Sequence, residues 1–140
     1  MIPAATTPRS HGDDTVLLHL GDAHLAESHA YEALDAYRRL VQIIPGSPSG
    51  VIGVFHASAL TGDRHVRQLM RGLPNDTDQP EVALRLGRAY GALCTAQPRR
   101  CNRDVRTRAR VMLERFLERA PNDPRAGSVR QELDAAPARR

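Results

Sequence analysis

Residues 14–46 read DTVLLHLGDAHLAESHAYEALDAYRRLVQIIPG, and the spacing of their apolar side chains decides the fold class. Val16, Leu17, Leu20, Ala23 and His24 recur at three and four residues, the step that puts side chains on one face of a helix beginning near Asp14. After Ser28-His29 a second set, Ala33, Tyr37, Leu40, Val41 and Ile44, does the same. Pro45-Gly46 ends that second helix, since proline lacks the N–H that would continue the ladder. Two helices joined by a brief polar turn form a hairpin whose apolar stripes face each other.

The pattern recurs along the chain. Ser49 is placed to cap a third helix bearing Val51, Val54, Phe55, Ala59 and Leu60, and Gly62-Asp63 turns the chain. Val66, Leu69, Met70 and Leu73 make a short fourth helix that stops at Pro74-Asn75. Asp78 and Glu81 have the spacing of a capping box, with Pro80 in the first turn of a fifth helix carrying Val82, Leu86, Ala89, Tyr90 and Leu93. Asn102 can cap a sixth, whose stripe is Val105, Ala109, Met112, Leu113, Phe116 and Ala120. Asp123-Pro124 starts a seventh, with Val129 and Leu133 as contacts and Pro137 near its end. No segment alternates with period two over strand length, so the expected class is all-α. Residues 1–13 read as a loose arm, 14–136 as one helical domain and 137–140 as a flexible tail.

The first hairpin resembles a tetratricopeptide repeat through Leu17, Leu20-Gly21, His24, Ala33, Tyr37, Leu40 and Pro45. His24 stands where that family usually has Tyr, and Leu17 where it often has Trp. The third hairpin is similar through Leu86-Gly87, Tyr90, Ala109, Leu113, Phe116 and Pro121. Its interval from Gly87 to Ala109 is ten residues longer than Gly21 to Ala33, with the excess around CTAQPRRCNRD. The middle hairpin is degenerate and lacks the Leu-Gly pair. The resemblance implies stacked hairpins in a right-handed superhelix, the seventh helix covering the last apolar face, and a concave groove for a peptide or partner helix. Matching helix faces put Leu18, Asp22 and Leu25, then Ile52 and His56, then Leu84, Arg85 and Arg88 along that groove. Arg85 and Arg88 are the residues expected to fork onto an acidic side chain or chain terminus. An open end of such an array could also stack on a second copy as a homodimer.

Composition narrows the function classes. Of 140 residues, 41% are apolar and 26% charged, and no apolar run approaches the ~20 residues that span a bilayer. The first fifteen residues lack the basic start and apolar stretch of a secretory signal, so the expectation is a cytoplasmic protein without membrane insertion. All 20 cations are Arg. Residues 1–63 hold 3 Arg and 7 acids, the remainder 17 Arg and 9 acids, so the halves carry −4 and +8. Arg99, Arg100, Arg103, Arg106, Arg108 and Arg110 crowd beside the single acid Asp104, a basic strip on which Arg103, Arg106 and Arg110 share a helix face. Such a strip suits an acidic protein segment better than nucleic acid, because no stacking aromatics interleave it.

Catalytic signatures are missing: no GxSxG, phosphate loop or dinucleotide fingerprint occurs, and neither cysteine has a nearby His with a fixed acid. The expectation is a non-enzyme without cofactor. Cys94 and Cys101 are too few to close a structural zinc site, and they are read either as free thiols or as a disulfide. His19, His24 and His29 lie five apart, a step that rotates a helical side chain by about 140°, so no metal site is expected from them.

Overall fold

The structure is a computed structural model and describes residues 11–135. The expected arm over 1–10 and tail beyond 136, Pro137 included, lie outside the described residues. Seven α-helices follow in order: α1 (His11–Ala26), α2 (Ala30–Ile43), α3 (Pro48–Leu60), α4 (Val66–Met70), α5 (Pro80–Ala96), α6 (Arg103–Arg119) and α7 (Ala126–Ala135), with a 3-10 turn at Pro98–Arg100 between α5 and α6. The described residues contain no strand. Neighbours in sequence pack as hairpins, α1 on α2 and α5 on α6, while α3 bridges them by packing on α2 and on α5. None of the described helices is long and apolar enough to cross a membrane.

Side chains at the helix starts explain where the chain turns, and here several expectations are corrected. The helix α1 begins at His11, three residues before Asp14, with Asp13 and Asp14 in its positively polarised first turn. Ser47, not Ser49, caps α3: its hydroxyl accepts the Gly50 N–H at 3.1 Å, and Pro48 takes the first helical position, where no N–H is needed. The capping box at Asp78 and Glu81 does not form, because Gln79 is the cap residue and both acids are engaged elsewhere, Asp78 with Arg119 and Glu81 with Arg85 and Arg125. Asn102 does cap α6, accepting the Val105 N–H at 2.9 Å. Asp123 folds back onto the Arg125 N–H at 2.8 Å, and this turn delays α7 to Ala126.

The main core joins α3, α5 and α6 through Ile52, Phe55, Leu84, Leu86, Tyr90, Leu93, Val105 and Phe116, side chains worth ~1.5–3 kcal/mol each when fully buried. Phe55 meets Tyr90 edge-on with ring centroids 5.6 Å apart, locking α3 to α5. A second cluster, Ala33, Leu34, Tyr37 and Ala57, holds α1 and α2 against α3. Tyr37 is its centre. The ring lies against two glycines, Gly21 of α1 and Gly53 of α3, where a Cβ would come within 2.5 and 2.4 Å of ring atoms. This contact turns α1 away from the stripe read in the sequence: Val16 is 63% and Leu20 43% exposed, and Gly21 is the buried position.

The excess residues of the α5–α6 hairpin are taken up largely by length, both helices having 17 residues, and by the 3-10 turn. A disulfide joins Cys94 to Cys101 across that turn. The free-thiol alternative does not hold in this structure. Gln97, buried in the same turn, donates through Nε2 to the carbonyls of Ala59 at 2.9 Å and Asp63 at 3.3 Å, so it tethers the turn to the C-terminal end of α3.

Candidate functional site

A cleft of about 710 Å³ opens where α3, α5, α6 and α7 converge. Its lining is largely apolar and includes the small residues Gly87, Gly91, Ala92 and Ala109; nothing lies within 4 Å of the Cβ position of Gly91, whereas that of Gly87 is taken up by Leu113. Leu60 and Leu113 wall it, and His56, Arg88, Arg106, Arg110 and Glu132 supply the polar groups. Glu132 of α7 accepts from Arg88 Nη2 at 2.8 Å and from Nε at 3.2 Å, so a carboxylate of the chain itself already sits on one of the cleft's cations. Arg106 donates to the Cys101 carbonyl at 3.1 Å, while its Nε is buried without a partner. The disulfide turn therefore positions Arg106 as well as closing the hairpin.

Beside the cleft runs a network of charges that crosses the fold. Arg85 of α5 forks onto Asp22 of α1, Nη1 to Oδ1 at 2.9 Å and Nη2 to Oδ2 at 2.7 Å, and the Tyr37 hydroxyl donates to Asp22 Oδ1 at 2.6 Å. Glu81 reaches Arg85 at 3.3 Å on one side and Arg125 at 2.8 Å on the other. Burial alone would raise the Asp22 carboxyl, but the Arg85 fork, the Tyr37 hydroxyl and the Arg85 charge outweigh it and hold the group below the usual carboxylate value. Burial, reinforced by the Asp22 carboxylate, pushes the Tyr37 phenol up. His56 sits between these cations: burial first, then the charges of Arg85 and Arg88, press its imidazole down to about 4. It is neutral at physiological pH, offering one donor and one acceptor but no charge.

The residues that matching helix faces assign to a groove fall into three groups. Ile52 and Leu84 are core, 1% and 2% exposed, because α3 and α5 pack on each other along that side. Leu18 and Leu25 pack half-buried against the Tyr37 cluster, and Asp22 and Arg85 neutralise each other, with the Arg85 side chain 19% exposed. Only His56 and Arg88 line the cleft. The basic strip also divides. Arg106 and Arg110 turn into the cleft; Arg99 and Arg103 are exposed; Arg100 donates to the Gln97 side chain at 3.1 Å; Arg108 pairs with Asp104. Sequence reasoning missed Glu132 and Gln97, whose partners are 44 and 38 residues away.

The histidines behave differently from a single-helix reading. His19 and His24 share α1, but the helix ends at Ala26, and His29 stands on the far side of the turn, back beside His24.

No protein-family model, no curated protein and no solved structure matches this chain.

Proposed function

We propose that the chain is a non-catalytic protein-interaction module of tetratricopeptide-repeat type, a short array of stacked hairpins that takes an acidic peptide segment in the cleft of α3, α5, α6 and α7. The observation that carries this reading is the Arg88–Glu132 pair beside an apolar floor, with Arg110 and the partly unsatisfied Arg106 lining the same cleft. A concave, largely apolar surface with a few convergent polar groups is the usual form of a ligand site, and guanidinium forks select carboxylates. A ligand carboxylate would meet Arg110 and Arg106 directly and compete with Glu132 for Arg88. Arg85 is engaged by its fork onto Asp22 and does not line this cleft.

The test is affinity capture from the native cell with wild-type protein and with Arg110→Glu, followed by cross-linking to map the contact. Capture of an acidic segment cross-linked to α5 and α6 and lost in Arg110→Glu supports the reading. Equal recovery of every partner by both proteins overturns it. Polynucleotide binding that falls steeply with salt and disappears on changing Arg99 and Arg103 to Glu would instead place the activity on the exposed part of the basic strip.

A further inference from the structure

The turn between α1 and α2 holds a group of side chains that the cleft does not use. The helix α1 ends in a left-handed turn: Ser28 adopts φ 65°, its N–H donates to the Leu25 carbonyl at 3.1 Å, and the His29 N–H reaches back to the His24 carbonyl at 2.8 Å. This paired closure, a Schellman motif, fixes the backbone of residues 24–29 and folds His29 over the last turn of α1. His29 occupies the cap position of α2 but makes no side-chain capping bond, so its imidazole is not committed to the helix.

As a result, one donor atom each from His24, Glu27 and His29 lies within 4.8 Å of the others. The separation of His29 and Glu27 suits a shared ion better than direct bonding. His29 Nδ1 stands 3.6 Å from Glu27 Oε1, beyond a good hydrogen bond but near the ~3.3 Å between two ligands at a tetrahedral angle with bonds of ~2.0–2.1 Å. The His24 and His29 ring centroids are 5.7 Å apart, close to the ~5–6 Å that the same bond lengths impose on two imidazoles of one ion. A third observation is independent of these distances: His24 Nδ1 is shut off from solvent with no hydrogen-bond partner, so this imidazole nitrogen is not committed to another group of the fold.

We propose that His24, Glu27 and His29 bind one divalent transition-metal ion, Zn²⁺ first among them, with water completing its coordination. Two imidazoles and one carboxylate are borderline donors, which favour Zn²⁺, Cu²⁺ or Ni²⁺ over the oxygen-seeking Ca²⁺ and Mg²⁺. His29 and Glu27 are exposed, so the ion is reached from solvent, and it clasps the end of α1 to the first turn of α2.

Titration of the untagged full chain with Zn²⁺ by calorimetry, with Co²⁺ as a spectroscopic probe, tests this. One ion should bind per chain, and His29→Ala and Glu27→Gln should each weaken binding by at least about tenfold, while His65→Ala leaves it unchanged. Zn²⁺ should raise the melting temperature of the wild type and not of His29→Ala. Both test positions are exposed, so circular dichroism of these variants should match the wild type and keep a loss of binding interpretable. No binding in large molar excess of Zn²⁺, or binding that His29→Ala and Glu27→Gln leave intact, overturns the proposal.

Discussion

Replacing Gly53 by Ala should destabilise this protein, although the same change in an open helix stabilises it. Mid-helix Gly→Ala ordinarily gains about 0.8–1 kcal/mol, because alanine loses less backbone freedom on folding. At Gly53 the new Cβ would stand 2.4, 2.5 and 2.7 Å from Cδ1, Cγ and Cε1 of Tyr37, against the ~3.5–4.0 Å that carbon contacts prefer. The ring cannot swing aside. It is fully buried, it lies against Gly21 as well, and its hydroxyl is held by Asp22 at 2.6 Å. Overpacking of this kind costs ~1–3 kcal/mol, and with three ring atoms inside contact distance the upper part of that range applies. The net expectation is a loss of about 1–2 kcal/mol, which for a chain of this size lowers the melting temperature by ~3–8 °C. Gly91 in α5 is the control, since nothing lies within 4 Å of its Cβ position, and Gly91→Ala should gain up to about 1 kcal/mol. Urea unfolding of both variants, and of Gly53→Ala in a Tyr37→Leu background where the loss should shrink, measures the effect. A Gly53→Ala protein as stable as wild type would refute the packing of α1, α2 and α3 around this one ring.

The depressed His56 imidazole sets a pH dependence. Between its ordinary value of 6.5 and its folded value of about 4, the unfolded chain binds a proton that the folded chain refuses. Stability from this group is therefore full above pH 6.5 and falls as the pH drops towards 4, by on the order of 2–3 kcal/mol; unfolding across that range should be flatter in His56→Gln, and parallel curves would remove His56 as the cause. A double-mutant cycle of Asp22→Asn and Arg85→Gln should give a coupling of about 1–2 kcal/mol, moderated because the Asp22 side chain is 35% exposed; additive single effects would mean that the fork does not bind α1 to α5. Reducing the Cys94–Cys101 bridge releases a loop with a sequence separation of 7, which chain entropy values at ~2.5 kcal/mol. A melting temperature indifferent to reductant would show that Gln97 and the core hold the turn unaided.

The helices were legible because their evidence is local. Asn102, Pro80 and the spacing of Val82, Leu86, Tyr90 and Leu93 act within one or two turns, and backbone hydrogen bonding responds to them directly. Helix starts misread by sequence, at Ser49 and at Asp78-Glu81, are places where a second candidate stood two residues away or where a distant arginine took the acid. The candidate site was less legible. The groove residues came from helix faces alone, and that construction could not know that Ile52 and Leu84 would be consumed by the contact between α3 and α5.

Taken alone, the sequence determined that the secondary structure of the described residues is helical and without strands, where most of the turns fall, and that the cations gather in the C-terminal half. The tertiary structure decided which of those cations are spent. Arg85 meets an aspartate 63 residues away, Arg88 a glutamate 44 residues away, and His29 returns to His24 through a left-handed serine. Helix periodicity has a range of a few residues, whereas ion pairing, burial and the convergence of ligands depend on distances through space that only the packed chain defines.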